Sequence, residues 1–184
     1  MCSHLAQIAY GLITVAMIAL TGGALYRNEW VVLPEVDVSD PAGLWCNGDV
    51  KECAKYFKDL KTFQKVVLAG MILAVVAEIA ALVYNIFTFF ACYCKQYLLH
   101  PLSALSTLIA VFLGVAVAVY CANSEEQLEI LEKYWNEQKN TKFEHTVDSL
   151  GNGTSLILTA VAFGLAVVNT IIASLAICFA DHLI

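Results

Sequence analysis

The sequence predicts a membrane all-α fold: a left-handed four-helix transmembrane bundle with a strand-bearing polar loop between its first two helices. Three observations carry that prediction. Hydrophobic residues make up 60% of the 184 residues and charged ones only 14%, with a mean hydropathy of +0.72. A soluble domain is nearer half apolar and about a quarter charged. The charges are gathered into blocks between four long apolar runs. Within the runs, small residues recur three or four positions apart, a pattern that lets membrane helices approach closely and cross in a left-handed bundle.

By length the chain is one four-span domain covering residues 1–184. The net charge of −6 and the lack of a basic arm argue against a nucleic-acid partner.

The first span is about 5–25, and a crossing helix needs about 20 apolar residues. No Lys or Arg precedes it, as a secretory leader would require, so it reads as a retained helix. Ala9, Ala16, Ala19 and Gly23 form its predicted packing face. Tyr26 and Trp30 follow at the exit, where aromatic rings favour the membrane interface.

Loop one is about 27–65. Trp30–Leu33 and Val36–Ser39 suit strands, Pro34 and Pro41 bound them, and Asn47-Gly48-Asp49 is a tight-turn signal. From Ala54 the periodicity turns helical, with Tyr56, Phe57, Leu60 and Phe63 on one face. This predicts a short amphipathic helix on the outer membrane surface.

The second span is about 66–91, with Gly70, Ala74, Ala77 and Ala81 as its seam and Glu78 near its middle. His100-Pro101 predicts a break, with Pro101 in the first turn of the next helix. The third span is about 102–122, with a seam of Ser103, Ser106, Ala110, Gly114 and Ala118. Loop two, about 123–153, is acidic and is expected to begin as a continuation of the third helix. Gly151-Asn152-Gly153 breaks the chain before the fourth span, about 156–180. Ala162, Ala166, Ala173, Ala176 and Ala180 lie on one side of that span.

Four spans put both termini on one side. Nine of the ten Lys and Arg lie in the two long loops and only Lys95 lies opposite, which favours cytosolic loops. Against that, both loops outlength the opposite connections and carry more acids than bases. A cysteine pair in a strand-rich loop also suits an oxidising compartment. The expected arrangement is plasma-membrane, multi-pass, with loops outside and both termini cytoplasmic.

Trp30, then Gly43-Leu44-Trp45, then Cys46 and Cys53, resemble the W…GLW…C…C signature of the claudin superfamily. That superfamily groups claudins with the peripheral myelin proteins, epithelial membrane proteins and calcium-channel gamma subunits. Tyr56, Leu60 and Gln64 are similar to the short extracellular helix that claudins place before their second span. Cys46 follows Trp45 directly, and loop one is shorter than in claudins, closer to the myelin-protein group. The resemblance implies a small extracellular β-sheet pinned by a Cys46–Cys53 disulfide, with Trp45 inserted between the outer ends of the helices. Loop tips at about Val32–Asp40 and Lys133–His145 would then make contacts.

Other residues carry competing readings. Cys46 and Cys53 as a redox pair would need C-x-x-C spacing and a second, relaying pair, and neither is present. Cys92, Cys94, Cys2 and Cys178 lie near one membrane face and suit either S-palmitoylation or plain apolar packing. No metal or cofactor is expected, because no His or acidic cluster joins the cysteines. A mid-membrane Glu78 is a functional signal by default; the plainer alternative is a neutral Glu hydrogen-bonded inside the bundle, for example to Asn169. Asn152 opens an N-glycosylation sequon, but so close to the fourth span that modification is disfavoured. His182 stands where a PDZ-type ending would carry Ser, Thr or an apolar residue.

The expected protein is a non-enzymatic, claudin-like membrane protein acting through lateral and cell-to-cell contacts in a junction or barrier. Its partners would be the lipid bilayer and other membrane proteins: itself, a claudin-like protein, or an ion channel. The alternative is an auxiliary subunit of an ion channel or receptor; a membrane thiol-disulfide oxidoreductase ranks third.

Overall fold

The computed structural model describes residues 2–27, 30–32, 57–58, 60–90, 95–123, 126 and 151–181. Four long helices dominate: α1 (Cys2–Tyr26), α2 (Thr62–Phe90), α3 (Lys95–Ala122) and α4 (Thr154–Asp181). Each is long and apolar enough to cross a membrane. They pack as one ring in which α1 touches α2 and α4, and α3 closes the far side; the α1–α2 seam is the slightest. One end of the bundle holds the ends that lead into the two long loops (the loop end). The other holds the termini and the 91–94 connection (the terminal end).

The bundle is apolar outside and polar inside. Leu12, Val76, Phe87, Val111 and Ile171 are exposed, while Gln7, Thr14, Thr21, Glu78, Asn85, Ser106 and Asn169 are buried. Water would reverse that distribution; lipid favours it, because an unpaired polar group facing hydrocarbon costs several kcal/mol. The chain is therefore a multi-pass membrane protein in contact with the bilayer.

Buried positions repeat every 3.5 residues on all four helices. They are Gln7, Tyr10, Thr14, Met17, Thr21 and Ala24 on α1, and Val67, Met71, Ala74, Glu78, Ala81 and Asn85 on α2. On α3 they are Leu102, Ser106, Ile109, Leu113, Ala116 and Tyr120; on α4, Ser155, Thr159, Ala162, Ala166, Asn169, Ala173 and Ala176. A 3.5-residue period keeps one seam inward only if the helices supercoil to the left.

The α2 and α4 seams are those the sequence predicts: Ala74, Ala77, Ala81, Ala162, Ala166, Ala173 and Ala176 are buried. The α1 seam is not. Ala16 and Ala19 are exposed, and nothing lies within 4 Å of a Cβ placed on Gly23. Inward orientation goes to the polar stripe instead, since turning Gln7, Tyr10, Thr14 and Thr21 into lipid costs more than leaving alanines there. On α3 the predicted face is split: Ser106 is buried but Ala118 is exposed.

Two local expectations are corrected. Helix α3 runs through Pro101 rather than starting at it. It ends at Ala122, where Asn123 Nδ2 donates to the Val119 carbonyl at 2.6 Å; Glu126 beyond it is helical, and the rest of the expected continuation into loop two lies outside the described residues. The amphipathic segment before α2 does not rest on the membrane surface by its apolar face. Phe57 packs on the core, and Leu60 and Phe63 are buried in the bundle. Gln64 then caps α2, its Oε1 accepting from the Lys61 N–H at 3.1 Å, which is half of a capping box.

A two-residue antiparallel ladder pairs β1 (Val31–Val32) with β2 (Gly151–Asn152), Val31 facing Asn152 and Val32 facing Gly151. The rest of the expected loop-one sheet, with Gly43, Leu44, Trp45, Cys46 and Cys53, lies outside the described residues.

Candidate functional site

Two constellations stand out: an aromatic anchor at the loop end, and a polar column through the bundle.

The anchor begins where α1 stops. The Arg27 N–H still bonds the Gly23 carbonyl at 2.9 Å, so the helix closes one residue into loop one. Ser155, in the first turn of α4, donates its hydroxyl to the Arg27 carbonyl at 2.8 Å. The chain then turns inward at Trp30, only 1% exposed. Its ring lies 5.0 Å from that of Tyr120 on α3, tilted by 49°, a separation at which aromatic pairs attract. β1 follows at once and pairs with β2, which leads into α4. The start of loop one is thus fastened to both α3 and α4.

This corrects the reading of Trp30 as an interface residue. A tryptophan just past a span suits the headgroup level, but here the chain folds back and seals the ring inside. Tyr120 was missed; as the last aromatic before a span ends, it carried the same weak signal as any interfacial tyrosine. Neither the Trp30 indole N–H nor the Tyr120 hydroxyl has a partner among the described residues.

The column is built on α1, whose inward stripe places a polar side chain at four levels. At the level of Gln7 the bond is to the main chain, the Gln7 backbone carbonyl accepting from Asn85 Nδ2 of α2 at 3.2 Å. Tyr10 reaches across the bundle to α3, its hydroxyl 2.8 Å from Ser106 Oγ and 3.2 Å from the Leu102 carbonyl. With one phenolic proton, Tyr10 donates to the carbonyl and accepts from Ser106. Thr14 donates to its own helix at the Tyr10 carbonyl and accepts from Asn169 Nδ2 of α4 at 3.1 Å. Thr21 donates to Glu78 Oε1 of α2 at 3.0 Å. Helix α1 thereby holds every other helix by a buried hydrogen bond. The signal for it lay in the sequence as polar residues at 7, 10, 14 and 21, on a different face from the alanines.

Glu78 is fully buried, so its carboxyl is turned away from any lateral partner. Its hydrogen-bond partner is Thr21, while Asn169 engages Thr14, one heptad along α1. The two residues named together from the sequence therefore sit at different levels. Among the described residues, four acceptor oxygens of the column have no donor: Gln7 Oε1, Asn85 Oδ1, Asn169 Oδ1 and Glu78 Oε2.

Gly11 makes the lowest level possible. A Cβ there would stand 2.9 Å from Asn85 Nδ2, the atom that approaches the α1 backbone.

The remaining predicted residues are scattered. Cys178 is exposed near the terminal end of α4, and Cys121 is exposed at the loop end of α3. Cys2 opens α1, its side chain outside the described residues, as are Cys92 and Cys94. Asn152 lies in β2 opposite Val31. Among the described residues, no three His, Cys, Asp or Glu side chains gather as a metal site. An apolar groove of about 480 Å³ runs between α3 and α4, lined by Thr107, Gly114, Phe163, Val167 and Thr170.

No family model matches the chain, and no curated protein or solved structure is significantly similar to it.

Proposed function

We propose that this is a claudin-like membrane protein that acts through lateral and cell-to-cell contacts in a junction or barrier. In this reading it lies in the plasma membrane with both termini cytoplasmic and the 27–65 and 123–153 loops outside. A Cys46–Cys53 disulfide pins the loop-one sheet. The observation that supports it most is the burial of Trp30 against Tyr120, with β1 paired to β2 beside it. A two-stranded element is marginal alone in water, and a native disulfide typically adds about 2–4 kcal/mol. Fastened at Trp30, the two loops gain a rigid base from which to present a contact surface.

The test is mixed culture of contact-deficient cells expressing the tagged chain with cells that lack it. The reading expects enrichment at borders between two expressing cells and its loss on Trp30→Ala. Uniform distribution along all membranes counts against it.

The second reading is an auxiliary subunit packed beside an ion channel or receptor. The observation in its favour is the apolar α3–α4 groove of about 480 Å³, which could receive side chains of a lateral helix. Glu78 does not support it, being turned into the bundle. Co-migration with a much larger complex on native gels, without border enrichment, selects this reading.

A further inference from the structure

We propose that Glu78 is a proton-binding site inside the bundle, served by ordered water that enters at the terminal end and follows the acceptor oxygens of Gln7, Asn85 and Asn169.

The chemistry of the unpaired atoms points to this ligand. Gln7 Oε1, Asn85 Oδ1, Asn169 Oδ1 and Glu78 Oε2 are all acceptors, and all lack a donor among the described residues. Their residues are between 0% and 6% exposed. Buried acceptors of this kind are met in proteins by water making two to four hydrogen bonds. At the terminal end, Gln7, Tyr10, Asn85, Leu102, Ala173 and Ala176 enclose a cavity of about 10 Å³, roughly the space of one water. From there the levels climb α1: Gln7 to Thr14 is ~10 Å and Thr14 to Thr21 another ~10 Å at 1.5 Å per residue. Met17 fills the level between Thr14 and Thr21. Its flexible thioether chain is suited to yield to a passing water.

The charges decide which cation is taken. Glu78 is the only Asp, Glu, Lys, Arg or His in the four predicted spans. The other titratable side chains within those spans are Tyr10 on α1, Tyr84 on α2, Tyr120 and Cys121 on α3, and Cys178 on α4. None supplies a positive charge, and an isolated ion in such surroundings is very costly. Glu78 therefore takes up the smallest cation available. One proton passes from hydronium to Oε2, water is left behind, and the new O–H becomes a donor. The Thr21 bond to Oε1 holds the carboxyl in place during the exchange.

The test is infrared difference spectroscopy on the full chain in lipid vesicles. The carboxylic C=O stretch lost in Glu78→Gln is assigned to Glu78, and the bath is switched from H₂O to D₂O at neutral pH. The expected result is a protonated band that shifts promptly in the wild type. Ala176→Val narrows the cavity without touching a polar group and is expected to slow the shift by about tenfold, as is Gln7→Leu, each removing one hydrogen-bonded step. Absence of a Glu78 carboxylic band overturns the proposal. So does a wild-type band that stays unshifted in D₂O, or a rate that neither variant alters. Should a variant fail to fold, the wild-type exchange still decides.

Discussion

The hydroxyl of Thr21 donates to Oε1 of Glu78 across 3.0 Å inside the bundle, and both side chains are fully buried. That contact joins α1 to α2 along the slightest of the four helix seams. Buried hydrogen bonds between membrane helices contribute about 0.6 kcal/mol on average and at most about 1.7. A double-mutant cycle of Thr21→Val and Glu78→Gln, read by unfolding in mixed micelles, should give a coupling in that range. Strict additivity would show that the contact carries no energy.

The aromatic anchor predicts an asymmetry between its two rings. Trp30→Ala removes a fully buried side chain and should destabilise the protein by about 3–5 kcal/mol. Tyr120→Phe deletes only a hydroxyl that is buried and has no partner among the described residues. Replacing such a group by hydrogen relieves an unmet desolvation cost, so Tyr120→Phe should be neutral or stabilising. Thermal melting of the two variants checks both signs.

Glycines of α1 should respond in opposite ways to one added methyl. Gly11→Ala places a Cβ 2.9 Å from Asn85 Nδ2 and should cost about 1–3 kcal/mol by displacing it. Nothing lies within 4 Å of a Cβ on Gly22, so Gly22→Ala should be neutral or stabilise by up to about 1 kcal/mol through helix propensity. Unfolding midpoints of the two variants make the comparison.

Two exposed thiols at opposite ends of the bundle test the sidedness. Cys121 lies at the loop end of α3 and Cys178 near the terminal end of α4. With the loops outside, a membrane-impermeant maleimide added to intact cells should label Cys121 and spare Cys178 until the membrane is opened. The reverse pattern would place the loops in the cytosol, as the lysine distribution alone suggests, and the claudin-like reading would fall.

Trp30 and Glu78 show where reading from the sequence stops. Both stood out as residues, one an aromatic past a span and one an acid within it. Their partners did not, because a partner depends on how far one helix slides along another. Tyr120 is 90 positions from Trp30, and Thr21 is 57 from Glu78. Asn169 has the right depth by residue count but bonds Thr14, one heptad away from Thr21. On α1 the small-residue rule and the polar-inward rule named different faces, and only packing against three neighbours chose between them.

By itself the sequence determined that four helices cross a membrane. Long apolar runs can satisfy their backbone in lipid only as helices, and every charge but Glu78 is excluded from them. It also determined the α2 and α4 seams, since rows of alanine leave little else to pack. The tertiary structure decided that α1 turns its polar stripe inward, that Trp30 is sealed against Tyr120, and that Glu78 pairs with Thr21. Each of those outcomes depends on side chains far apart in the chain, brought to the same level by the register of neighbouring helices.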